Sequence, residues 1–102
     1  MGEMVLFQTE DAGHFSIGKI TAVEGEKLTV HEFEPRKGVG TTFLPLWIKG
    51  RRRERKADKP AGFTAEKVEV TIAKLVCSVE LDGNNKLTEA SDNYVQTLGF
   101  TL

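Results

Sequence analysis

Few residues of this chain are suited to acid–base, nucleophilic or metal chemistry: one cysteine, Cys77, and two histidines, His14 and His31, in 102 residues. Neither histidine has a second ligand at metal-binding spacing, and one cysteine cannot furnish a structural zinc site. A nucleophilic arrangement of Cys77, His31 and an acid can be drawn, as in most proteins of this size, and no spacing singles it out. Gly38-Val39-Gly40 lacks the third glycine and the strand-to-helix setting of a dinucleotide loop, and there is no Gly-Lys-Ser or Gly-Lys-Thr phosphate loop. The carboxylates are scattered. The expectation is therefore a binding protein rather than an enzyme, with no catalytic residue, no metal and no cofactor.

Two sets of side chains are suited to binding. Phe15, Phe33, Phe43 and Trp47 fall at or near the ends of apolar segments, and aromatic faces gathered there hold a methylated cation by cation–π attraction or grip an extended peptide. The competing expectation is that most are core, Phe43 above all, with Trp47 half exposed because its indole N–H needs a partner. The second set is basic: Lys49, Arg51, Arg52, Arg53, Arg55 and Lys56 offer donors suited to phosphate and resemble a nuclear-targeting or nucleic-acid patch. From Lys49 to Lys59 seven basic residues stand against Glu54 and Asp58, a surplus of five positive charges in a chain of net charge −1, so the remainder carries −6. A basic loop on an acidic body implies a local electrostatic contact, without base specificity.

Short strands must position these residues. Met4 to Thr9 alternates as an opening strand and stops at the turn-forming Glu10-Asp11-Ala12-Gly13. Phe15 to Val23 reads as a second strand, with Ile17 and Ile20 on opposite parities and Gly18 as the expected site of a bulge or bend. Glu24-Gly25-Glu26 connects it to a third strand over Leu28 to Phe33, which Pro35 to Gly40 breaks. Thr41 to Ile48 is rich in β-branched and aromatic residues and forms a fourth, with Pro45 at an edge or bulge. Lys49 to Gly62 offers almost no apolar surface and is expected to be a mobile loop. Val68, Val70 and Ile72 then alternate on one parity and Leu75, Cys77, Val79 and Leu81 on the other, so a bulge or break is expected near Ala73-Lys74. After the turn Asp82-Gly83-Asn84-Asn85 the period lengthens from two to 3.6. Thr88 caps a helix to about Leu98, with Ala90, Tyr94, Val95 and Leu98 on one face and Gly99 and Phe100 forming its termination.

The length suits one domain, 1–102, with one modest core. No apolar run approaches a membrane span. Met1 to Gln8 carries Glu3 and lacks the basic start and apolar stretch of a signal peptide, and Leu6 stands where myristoylation wants Ser or Thr after Gly2. An intracellular protein, nuclear or cytoplasmic, is expected, with Cys77 as a buried structural thiol.

The order Gly2-Glu3-Met4-Val5, Phe15-Ser16-Ile17-Gly18-Lys19-Ile20, Leu28-Thr29-Val30-His31-Glu32-Phe33 and Phe43-Leu44-Pro45-Leu46-Trp47 resembles the Tudor and chromo-barrel group of SH3-like folds. It is also similar to barrel modules found in retroelement- and transposon-related proteins, in which a C-terminal helix like Lys86 to Phe100 follows. The resemblance implies a mainly β, SH3-like antiparallel barrel of about five strands with a C-terminal helix. It also implies non-catalytic binding to a histone or other peptide, or to nucleic acid. Two departures concern the methyl-reading cage: Glu32 stands where a third-strand aromatic is frequent, and no Tyr-Gly pair follows Phe33. Three functions are therefore expected of the chain: a peptide- or protein-binding module using the aromatic strand ends, with a methylated Lys or Arg as one suitable ligand; a nucleic-acid-binding barrel like the terminal domain of retroviral integrases, using the basic loop; and a structural assembly domain. The oligomeric state is not readable.

Overall fold

A computed structural model describes residues 2–9, 15–36 and 39–98, without the side chains of 36 and 39–41. The turn at 10–13, His14, Gly38 and the helix termination at Gly99 and Phe100 lie outside the described residues. The fold is mainly β and antiparallel, with one C-terminal helix: β1 (Met4–Gln8), β2 (Phe15–Glu24), β3 (Lys27–Arg36), β4 (Val39–Lys49), β5 (Arg52–Arg55), β6 (Thr64–Ala65), β7 (Lys67–Thr71), β8 (Leu75–Val79) and α1 (Glu89–Thr97). Among the described residues there are eight strands rather than about five, and their hydrogen-bonded order is open, β5-β4-β3-β2-β1-β8, with β6 added to β4 and β7 to β3.

Two tight hairpins follow from glycine. Gly25, between paired Glu24 and Lys27, and Gly50, between paired Lys49 and Arg52, have φ of +60° and +59°. A two-residue hairpin of the II′ kind wants glycine at that first central position. The second hairpin corrects the expectation of a loop over 49–62, because Arg52–Arg55 is a strand paired residue for residue with Leu46–Lys49. A strand of so little apolar content forms here because β4 supplies a ready hydrogen-bonding edge, which composition does not report.

The long strands β3 and β4 pair from Arg36↔Val39 to Phe33↔Pro45, and beyond that pair they part. The segment β6–β7 fills the gap as a wedge. β6 takes the edge of β4 (Trp47↔Ala65, Ile48↔Thr64) and β7 takes the edge of β3 (Lys27↔Thr71 to His31↔Lys67). Glu66, between the two, ties both arms: its N–H donates to the Leu46 carbonyl at 3.1 Å and its carbonyl accepts from the Glu32 N–H at 3.0 Å. Every backbone group freed by the parting needs such a partner. Pro45, which has no N–H to give, stands at the last pair before the fork. Thus β3 continues through Pro35 rather than breaking there.

Burial falls in two clusters, one on each side of β1. Leu6, Ile17, Phe33, Phe43, Val79, Leu87 and Val95 form the first, and Val5, Phe7, Ile20, Leu28, Val30 and Val70 the second. Consecutive residues of a strand point to opposite faces, so β1 is covered on both. Ile17 and Ile20 do go to different clusters. The irregularity in β2, however, lies between Ile20 and Ala22 and not at Gly18. Gly18 serves a close approach instead: a Cβ there would collide with the Val30 side chain and come within 2.8 Å of the His31 carbonyl oxygen.

The parity change between Val70 and Leu75 is a 3-10 turn over Ile72–Lys74, which leaves Ile72 exposed. Asp82 Oδ1 accepts from the N–H of Asn84 and Lys86, at 2.8 and 3.1 Å, and sets the next turn, where Asn85 has φ +60°. Thr88 Oγ1 accepts from the Ser91 N–H at 3.3 Å, the expected N-cap. The helix buries only Val95; Ala90, Tyr94 and Leu98 are exposed, so its expected apolar face is narrower than the spacing implied.

Candidate functional site

His31, the one buried polar side chain among the described residues, stands at the fork. Its Nε2 bonds the Leu46 carbonyl at 2.7 Å, the same oxygen that receives the Glu66 N–H, and its ring meets those of Trp47 (4.8 Å) and Phe33 (5.6 Å) edge-on. Burial holds its pKa below the usual 6.5; the Leu46 hydrogen bond opposes this, while the charges of Lys67 and Lys19 add to it. A neutral imidazole holding a backbone carbonyl is a structural fastener rather than a proton donor poised for chemistry.

On the other face, the wedge and the sheet enclose a cleft of about 460 Å³. Phe7, Val68 and Val70 supply its apolar surface, and a side chain at Gly18 would strike Val30 and approach the Phe7 ring. The β3–β7 ladder runs along it. Lys27, Thr71 and Lys74 line one end and Glu32, one residue past the His31↔Lys67 pair, lines the other. Gln8, Thr9 and Glu69 complete the lining. The two ends are about 17 Å apart at the usual strand rise, room for about five extended residues.

The charges around Glu32 are unevenly satisfied. Arg53 donates from Nε to Glu66 at 2.8 Å and from Nη2 to Glu34 at 3.4 Å, and Arg55 donates to the Pro35 carbonyl at 2.6 Å with Glu34 at 4.0 Å. The carboxylate of Glu32 makes no hydrogen bond or ion pair among the described residues. Its own burial pushes its pKa above the usual 4.5, the charges of Glu66 and Glu34 push it further, and Arg53 pulls it back.

The expected site residues are dispersed. Phe33 and Phe43 are core, 9% and 2% exposed, and cannot offer ring faces to a ligand; Phe15 packs against the same cluster. Trp47 is half-buried against His31 and donates its indole N–H to the Lys56 carbonyl at 2.9 Å. The four do not form one aromatic rim, because Phe33 and Phe43 lie within their strands and are buried in the first cluster, while Trp47 packs on His31. Within the basic set, Arg53 and Arg55 are turned onto the protein's own acceptors. Arg52 and Lys56 pair with Glu54, and Arg52 also lies 5.6 Å over the buried Phe63 ring. Lys49 and Arg51 form no ion pair among the described residues.

Cys77 is half-buried beside the first cluster, with burial pushing its thiol pKa up. Among the described residues no three His, Cys, Asp or Glu side chains gather as metal ligands, and no helix is long and apolar enough to cross a membrane. Sequence reasoning passed over Glu32 as a binding residue. Its signal was an acid at the third place of the alternation Leu28, Val30, Glu32, where the first two positions are apolar and buried. Comparisons with protein-family models, curated proteins and solved structures find no match to this chain.

Proposed function

We propose that the chain is a non-catalytic interaction module that takes an extended peptide segment of a partner protein into the cleft along β7. One observation carries this reading: an apolar trough, flanked by hydrogen-bonding side chains and closed by charges of opposite sign at its two ends, is walled by strands and so held in shape. Binding surfaces of this type combine apolar contact with a few placed polar groups. The short Tudor- and chromo-barrel-like motifs agree with a binding role, but the burial of Phe33 and Phe43 removes the support for an aromatic methyl-reading cage. Nucleic-acid binding through the basic hairpin is the weaker alternative, since Arg53 and Arg55 are already engaged by Glu66, Glu34 and Pro35.

A random-heptapeptide display library panned against the chain tests the proposal, with selected peptides titrated against the isotopically labelled protein. Amide and methyl shifts are expected at Phe7, Val68 and Val70. A short single-stranded DNA is expected to bind weakly and to release steeply with salt. Selected peptides that move only Lys49–Lys56, or none that bind while the DNA does so tightly, would overturn it.

A further inference from the structure

We infer that the cleft is selective for a basic peptide segment, one that seats a Lys or Arg side chain on the Glu32 carboxylate and lays an adjacent apolar residue over Phe7, Val68 and Val70. This rests on the cleft being the binding site and adds the chemistry of its occupant.

The inference starts from a charge count at the fork. Three carboxylates, Glu32, Glu34 and Glu66, face two guanidiniums. Arg53 serves Glu66 and Glu34, and Arg55 serves Glu34 and the Pro35 carbonyl. Glu32 is the carboxylate left over, and it is the one of the three that lines the cleft. A half-buried carboxylate with two acidic neighbours and no bonded cation among the described residues costs stability, and such costs persist where a ligand supplies the missing partner. An incoming ammonium or guanidinium would complete the set. In a partly desolvated site such a charged hydrogen bond is stronger than on open surface.

Occupants of other chemistry fit less well. An acidic segment would meet Glu32, Glu34 and Glu66 at this end. At the opposite end Lys27 and Lys74 would suit it, but Glu69 stands in the same lining. A purely apolar segment would bury the Glu32 carboxylate without a partner, which is a direct penalty.

The test uses peptides taken from the display library, each made also with its basic residues replaced by glutamine, and the parent chain beside Glu32→Gln and Glu24→Gln. Glu24 is exposed at the β2–β3 hairpin, at the end of the cleft opposite Glu32 and not itself in the lining, and controls for the change in net charge. Amide spectra confirm that both variants fold. The expected result is enrichment of Lys or Arg in the selected peptides, with affinity about tenfold weaker or more for Glu32→Gln and for the glutamine peptides, and unchanged for Glu24→Gln. Peptides that bind the cleft with equal affinity to parent and Glu32→Gln would overturn the selectivity and leave the binding role standing. Equal losses in both variants would reduce it to long-range charge. Absence of any cleft binding would remove both readings together.

Discussion

The basic hairpin and the β7 cleft use charge in opposite ways. In the hairpin the charges are dense but largely answered within the molecule: Arg53 by Glu66 and Glu34, Arg55 by Pro35, Arg52 and Lys56 by Glu54. In the cleft, Glu32 makes no ion pair or side-chain hydrogen bond among the described residues. Charge density along a chain therefore does not report how much charge is left free of internal partners. What matters is the charge left over after neighbouring strands have paired theirs, and that depends on register.

Gly18→Ala strikes at the cleft hardest. The added methyl collides with Val30 and comes within 2.8 Å of backbone, which cannot yield as a side-chain tip would, so a loss of about 3 kcal/mol is expected by urea denaturation. A change below about 0.5 kcal/mol would mean that the packing around Gly18 is looser than described. Next comes His31→Ala, which removes the fastener at the fork and is expected to cost about 2 kcal/mol. The same histidine has a pH signature. Because its folded pKa is depressed, the unfolded chain binds more protons between that value and 6.5, so its contribution is complete above 6.5 and is lost as pH falls through that window. His31→Gln should abolish this limb of the stability profile.

The hairpin should respond more weakly. Arg53→Ala breaks two ion pairs, but its side chain is 52% exposed, so about 0.5 to 1 kcal/mol is expected, shrinking further at high salt. Replacing 50–59 by a short Gly-Ser turn also removes the β5 ladder and the carbonyl that holds Trp47. A drop in Tm of a few degrees is expected, and none at all would show that the segment contributes nothing to folding.

Glu32→Gln should give the smallest effect and the opposite sign. The folded pKa is raised, so the carboxylate's cost is fully present above that value and absent below the unfolded 4.5. The variant should be a few tenths of a kcal/mol more stable than the parent at pH 7, and the gain should vanish as pH falls towards 4.5. A loss of stability at pH 7 would mean that Glu32 already has a partner, and the contrast between the two regions would fail.

The sequence by itself determined the class of fold, because local signals decide it. Alternation of period two marked most of the strands, Glu24-Gly25-Glu26 marked one tight hairpin, and Thr88 with the change of period marked the helix. It also foresaw that Trp47 would be half-buried with its indole N–H engaged. Only the tertiary structure decided between core and strand-end exposure for Phe33, that the basic run contains a strand, and that β6–β7 wedges β3 from β4. These depend on which distant segment supplies a backbone edge or an opposing charge. Glu66 and Arg53 are thirteen residues apart, Leu46 and His31 fifteen, and nothing local in either segment specifies the other. Glu32 is the extreme case, since whether it has a partner among the described residues depends on where each neighbouring strand sets its own charges.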